Sequence, residues 1–360
     1  MNSKCSFRIL SISFLVLIWT FHACIDTIEI ELPQGEGGRL VIEGSVERGP
    51  DFYLIRSSVR RTAQDIRDVV LNLETADIFL LLNDQEVLSL ANNEAEMIEI
   101  NAFHDQYGSD PTSARFGLRV ILEDGRIFES EQQQVLDSSP ASNLEIKLIE
   151  RELLNDAGIF VQQSYVELLV NTALKNDQGE ALSYLWEVSG VYEFPEIAWT
   201  DDPGFFPTTC YVPVTPPPDE INVVLASKLN GEELKAYKIA ETEADFRFIS
   251  GYYYTVLQKA LDEKAANYWE QVATNISREG TLFDPPAGQI ESNIRNINDA
   301  QDEVLGYFYA AGIDTLRYFA SPDETGNQLH PCAIEPGTPL CCDCLSTLFN
   351  SSRNKPPYWD

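Results

Sequence analysis

Histidine and positive charge are both scarce in this chain: 3 histidines in 360 residues, and 25 lysines and arginines against 57 acidic residues. The resulting net charge of −32 excludes an electrostatic footprint for DNA or RNA and repels anionic lipid. It attracts cations or a basic partner, or serves solubility alone. No G-x-S-x-G elbow, H-E-x-x-H helix or glycine-rich phosphate loop occurs. Only His104 and His330 lie beyond the N-terminal segment, and neither has a second histidine near it in sequence. A histidine-dependent triad would therefore need distant, unmarked partners. Carboxylate pairs suited to acid–base work are so abundant that none is informative. Internal repeats and low-complexity tracts are absent, and after the N-terminus no apolar run approaches the roughly 20 residues a membrane-spanning helix needs.

What is present begins with an export signal. Lys4 and Arg8 form a basic start, and Ile9 to Phe21 (ILSISFLVLIWTF) is an apolar run too short for a comfortable span. Phe21-His22-Ala23-Cys24 then places a small residue directly before a cysteine, as a lipoprotein signal peptidase requires. Phe21 and His22 depart from the stricter Leu-Ala/Ser-Gly/Ala-Cys pattern. The expectation is cleavage after Ala23 and lipid on Cys24, with an uncleaved N-terminal anchor as the competing reading. A diacyl group plus an amide-linked chain exceeds the two-anchor requirement for stable attachment. Removing Lys4 and Arg8 makes the mature chain two charges more negative. Residues 24–37 read as an acidic tether, and Asp26, Glu29 and Glu31 are candidates for a surface-sorting signal.

Five cysteines remain for the mature body: Cys210, Cys332, Cys341, Cys342 and Cys344. Four form C-x8-C-C-x-C, which lacks the C-x2-C pair of a zinc site, so no metal is expected there. In an oxidising compartment disulfides are the better reading. Adjacent Cys341 and Cys342 bond each other only with strain, so each is expected to reach elsewhere, one of them to Cys210. Five is odd, and one thiol is expected to stay free.

The body itself reads as mainly β. Residues 40–46, 52–55, 77–82, 86–90, 116–122 and 127–130 are short β-rich runs separated by turn chemistry. Asn83-Asp84-Gln85 predicts one hairpin, and Glu123-Asp124-Gly125-Arg126 predicts another, because glycine accepts positive φ. These runs suggest a β-sandwich over residues 38–140. Ser138 to Asn143 is small and polar, a candidate linker. A second β-rich domain is expected over 144–360, with strands at 146–149, 165–171, 184–188, 222–226 and 246–257. Residues 195–220, rich in proline, read as a long loop pinned by Cys210. One amphipathic helix starts at Asp262, with Ala265, Tyr268, Trp269, Val272 and Ile276 on one face. That stripe reads as core packing against a sheet before it reads as a ligand platform. Leu282 to Gly288 is expected as a rigid loop, followed by strands at 304–309 and 315–319. Asn298 to Glu303 could wrap Ca²⁺ but lacks the EF-hand glycine and spacing, so a solvated loop is the simpler reading.

Several segments together resemble a family of outer-membrane lipoproteins of Bacteroidota, domain-of-unknown-function family 4249. They are LVIEGSV at 40–46, LRVILEDGRIFES at 118–130, LFDPPAGQIESNI at 282–294, VLGYFYAAG at 304–312, CCDC at 341–344 and KPPYW at 355–359. The resemblance implies an immunoglobulin- or transthyretin-like sandwich before the linker. It also implies partnership with a TonB-dependent outer-membrane receptor, and it carries over no catalytic residue and no cofactor.

The leading expectation is a non-enzymatic lipoprotein of the outer membrane, on the cell-surface or periplasmic side. It would bind a ligand or partner as an accessory to such a receptor in nutrient uptake. A surface hydrolase acting on glycans and a purely structural envelope protein are the alternatives.

Overall fold

Alternation along the first strand decides the layering. In Leu40–Arg48 (β1), Leu40, Ile42 and Val46 point into a hydrophobic core, while Glu43, Ser45 and Glu47 take the opposite face. The computed structural model describes residues 38–62, 72–108, 110, 113–137, 142–155, 157–197, 206–215, 220–277, 290–334 and 339–359. The leader with Ala23, the lipidation candidate Cys24, the acidic tether, linker residues 138–141 and the Leu282–Gly288 loop lie outside the described residues.

From β1 the chain turns at Gly49-Pro50-Asp51 into Phe52–Arg61 (β2), then continues through Asn72–Leu73 (β3), Ala76–Leu82 (β4), Gln85–Leu90 (β5) and Ala95–Glu99 (β6). A helix, Ile100–Tyr107, precedes Arg115–Leu122 (β7), Ile127–Ser130 (β8) and Gln133–Gln134 (β9). Next come Asn143–Leu154 (β10), Phe160–Ala173 (β11), Ser183–Pro195 (β12), Thr209–Val214 (β13), Asn222–Val224 (β14), Glu233–Glu243 (β15) and Tyr252–Leu261 (β16). The helix Glu263–Ile276, Ile294–Asn296 (β17), Phe308–Ala320 (β18) and three single helical turns complete the order.

Among the described residues the strands form three sheets. A nine-stranded sheet runs β13-β12-β16-β18-β1-β2-β3, with β14 on β12 and β6 on β2. A six-stranded sheet runs β17-β8-β7-β4-β5 with β9 on β7, and a three-stranded sheet runs β10-β11-β15. The class is mainly β with few helices, as the sequence reads. One core lies between the nine- and six-stranded sheets, joining Ile42, Val46 and Ile55 to Leu80, Leu118 and Phe128. That is the sandwich packing expected for the N-terminal half. A second core joins β12 and β16 to the three-stranded sheet, around Trp186, Tyr254 and Leu168.

The large sheet crosses the boundary expected near residue 140, and the first core takes in residues from both sides of it. β1 pairs in parallel with β18, Gly44 opposite Phe308 and Arg48 opposite Gly312, so Val304, Phe308 and Ala310 complete the N-terminal core. Residues Arg39–Asp360 cluster as one compact unit. A parallel pairing needs a long crossover, and here the crossover is most of the chain.

Both hairpin turns form where expected: Asn83 and Asp84 take φ of 50° and 66°, and Gly125 takes 86°. Other elements differ from the sequence reading. Residues 209–214 of the expected loop are strand β13, paired to the edge of β12. β15 was not expected; its ELKAYKIAETE is charge-rich, and only pairing with β11 makes it a strand. Phe246–Phe248 is a 3₁₀ turn, and the strand starts at Tyr252. The two strands expected at 304–309 and 315–319 are one, β18, continuous through Gly312. β6 and the helix Ile100–Tyr107 were also missed. That helix is capped by the Glu99 carboxylate, which accepts from the Asn101 and Ala102 amides, and by Gly108 at φ 60°.

Two disulfides join Cys210 to Cys344 and Cys332 to Cys341. Neither of the adjacent cysteines reaches Cys210, contrary to expectation. β13 runs beside the C-terminal segment, where Tyr211 pairs with Ser352, and this brings Cys344 to Cys210 instead. The bridges account for four of the five cysteines, and the side chain of Cys342 lies outside the described residues.

Candidate ligand cleft

The outer face of the nine-stranded sheet, turned away from both large cores, is polar at its centre. Register places Ser45 between Arg56 of β2 and Tyr309 of β18, and Glu47 beside Ala311. Lys259 of β16 sits opposite Ile313 of β18 on one side and Leu185 of β12 on the other. Strand alternation therefore brings Glu43, Glu47, Arg56, Lys259 and Glu187 to one surface from four strands.

The helix Glu263–Ile276 covers part of this surface. Asp262 caps it by accepting from the Ala265 amide at 2.7 Å. Ala265 and Tyr268 are buried, Trp269 and Val272 pack partly, and Ile276, the last member of the stripe, is exposed. Tyr268 stacks on Tyr307 with centroids 4.6 Å apart, and Trp269 meets Tyr309 edge-on at 6.0 Å. The stripe is thus core packing, as its spacing suggests, and Trp269 has a second role as a wall.

Between this helix and strands β1 and β2 lies a cleft of about 420 Å³. Glu43, Ser45, Arg56, Glu94, Trp269 and Tyr309 contribute to its lining. Behind its lining residues Arg56 and Tyr309 lies a buried ionic network. Lys259 Nζ donates to Glu47 at 2.7 Å and also to Glu187; Arg56 donates to Glu47 at 2.8 Å, and Tyr309 Oη donates to the same carboxylate at 2.9 Å. At the rim Arg60 donates to Glu43 at 2.8 Å. Trp269 Nε1 and Tyr307 Oη are buried without a hydrogen-bond partner among the described residues.

Burial and neighbouring charge shift three groups of this network. Burial alone raises the Glu47 carboxyl, but the charges of Lys259 and Arg56 and hydrogen bonds from Lys259 and Tyr309 outweigh it and hold the group below the ordinary carboxylate range. Burial opposes the Lys259 ammonium, yet Tyr309, Glu47 and Glu187 raise its pKa well above the usual lysine value. Burial also raises the Tyr309 phenol. The Lys259 ammonium is buried and bound by two carboxylates, as a structural ion-pair partner is. A charge-compensated network thus backs a cleft walled by Trp269, Tyr307 and Tyr309, a surface suited to holding a ligand.

The residues singled out from sequence lie elsewhere. His104 is buried in the N-terminal core, its Nε2 2.8 Å from Tyr53 Oη, and burial lowers its pKa below the usual imidazole value. His330 accepts at Nδ1 from the Cys332 amide and so donates from Nε2 to the Pro195 carbonyl. Both are structural. Asp302, in the loop weighed for Ca²⁺, is bound by Arg126 and Asn296. Cys210–Cys344 staples the C-terminal segment to β13, Cys332–Cys341 closes a loop within that segment, and neither bridge includes a residue that lines the cleft. The cleft was not read from sequence. Its one trace is the Glu-x-Ser-x-Glu alternation of β1, which polarises a strand whose other face is apolar from Leu40 to Val46.

A protein-family comparison matches residues 25–317 to the family described as Domain of unknown function (DUF4249). The chain belongs to that family. The match takes in β1, β16 and the helix Glu263–Ile276, so the cleft of this DUF4249 chain is built within the family domain. The disulfide-stapled segment after residue 317 lies beyond the match. No curated protein and no solved structure matches the chain.

Proposed function

We propose that this DUF4249 chain is a non-enzymatic lipoprotein, held to the outer membrane through Cys24, that binds a ligand in the cleft between the helix Glu263–Ile276 and strands β1 and β2. In this reading it serves as an accessory to a TonB-dependent receptor in nutrient uptake. The observation that carries the binding role is the cleft itself: an aromatic wall of Trp269, Tyr307 and Tyr309 beside Glu43 and Arg56, both already in ion pairs and so placed to position a ligand. The basic and apolar leader ending in Ala23-Cys24 supports the anchoring, and the bridges support an oxidising compartment.

The test begins with the native protein extracted in mild detergent. The expected N-terminal peptide starts at Cys24 and carries acyl chains by mass spectrometry. A bare thiol there, or a retained leader, would remove the anchor from the proposal. The tagged protein is expected to bring a TonB-dependent receptor with it, and a clean isolation of the lipoprotein alone would count against the partnership. Native mass spectrometry of the same sample should find a bound small molecule that Trp269→Ala releases.

A further inference from the structure

β10 and β11 pair over their whole length, from Asn143 opposite Asn171 to Leu154 opposite Phe160. β15 accompanies β11 only as far as Tyr165, opposite Glu243. Residues 150–155 and 157–163 therefore extend past β15 as a two-stranded ribbon. Such a ribbon is marginal in water unless one face packs on something. Here the end is apolar: Leu154, Ile159 and Phe160 are 62%, 60% and 66% exposed, and Leu153 and Val161 are exposed beside them. The turn is tightly built. Asn155 Oδ1 accepts from the Ala157 and Ile159 amides, the Asn155 amide donates to the Ile159 carbonyl, and Gly158 takes φ 73°. Leu154 and Phe160 face one side of the ribbon and their neighbours Leu153 and Val161 the other, so the end is apolar on both faces, the kind of exposed surface that marks an interaction site.

Charge selects the occupant. Near the tip Glu150 and Glu152 have no ion-pair partner among the described residues, whereas Arg151 is bound by Glu241 and Glu167. The net signal of the ribbon is negative, on a chain of net charge −32. An anionic bilayer surface and a second copy of the same chain both repel it. We infer that the β10–β11 ribbon is a docking arm that inserts its apolar end into a slot on a protein partner, the slot being apolar within and rimmed by lysine or arginine. This surface is separate from the cleft and holds whether or not the partner is a TonB-dependent receptor.

The experiment places a photo-crosslinking phenylalanine analogue at Phe160 of the full chain in its native cells, with the same analogue at Asp84, in the β4–β5 turn, as control. The expected result is a protein adduct specific to position 160, with its attachment site in an apolar segment flanked by basic residues. Adducts to lipid, to a second copy of the chain, equally from both positions, or not at all, would overturn the inference. An adduct to a protein other than a TonB-dependent receptor keeps the docking arm and removes the receptor from the proposed function. The double variant Leu154→Ser/Phe160→Ser should weaken the purified complex at least about tenfold with unchanged melting of the lone protein. Raising salt should weaken it further. An affinity indifferent to the double variant would refute the arm.

Discussion

The Lys259 ammonium lies 2.7 Å from the Glu47 carboxylate, 212 residues earlier in the chain, and neither side chain is more than 1% exposed. The pair ties β16 to β1 across β18, joining the two halves of the large sheet. Buried pairs of this kind are costly to break and often nearly neutral to replace as a unit.

Removing one partner should therefore hurt more than removing both. Lys259→Met leaves a buried carboxylate with only Arg56 and Tyr309, and is expected to lower unfolding free energy by about 3–5 kcal/mol. Adding Glu47→Leu to that variant should restore a large part of the loss. Urea titrations of the three proteins decide it, and a single variant within about 0.5 kcal/mol of the parent would show the network carries little.

The same carboxylate gives a pH dependence with a definite sign. Glu47 titrates below its ordinary value of 4.5 in the folded protein, so the unfolded chain binds its proton first as pH falls. Its contribution is present above the unfolded value and is lost as pH drops through the folded one. Glu47→Gln should flatten the acid limb of stability against pH below the ordinary carboxylate range. An unchanged limb would place the acid sensitivity in other carboxylates.

Loop size separates the two disulfides. Cys210–Cys344 spans 134 residues and Cys332–Cys341 spans 9. Chain entropy then assigns about 5 kcal/mol to the first bridge and about 2.5 kcal/mol to the second. Cys210→Ser/Cys344→Ser should accordingly lower the melting temperature more than Cys332→Ser/Cys341→Ser. Peptide mapping without reduction checks the pairing directly, and any Cys210–Cys341 or Cys210–Cys342 peptide would contradict it.

Gly306 sits where the chain enters β18 beside β1. Its φ is +100°, and a Cβ there would lie 1.9 Å from the Ile42 carbonyl oxygen. Gly306→Ala should destabilise by at least about 2 kcal/mol, because backbone of the neighbouring strand has to move. Hydrogen exchange should locate the loss at the β1–β18 pairing, and protection equal to the parent there would refute it.

Legibility followed locality. The hairpin β4–β5 was readable because Asn83 and Asp84 tolerate positive φ, and β7–β8 because Gly125 does. The helix Glu263–Ile276 was readable from Asp262 and a 3.6-residue apolar period. β15 was not readable, since a charged strand with two buried residues, Leu234 and Ile239, owes its conformation to β11. β18 read as two strands because Gly312 and Asp314 break its apolar pattern, although pairing with β1 and β16 carries it straight through.

By itself the sequence determined the β class, the two tight hairpins, the capped helix and the family to which the chain belongs, because turn chemistry, capping and hydrophobic period act over a few residues. Only the tertiary structure decided that β1 closes beside β18, that Cys210 meets Cys344, and that Glu47 meets both Lys259 and Tyr309. Those meetings join residues more than a hundred positions apart, and strand register, which no local pattern encodes across such distances, sets which of them face one another.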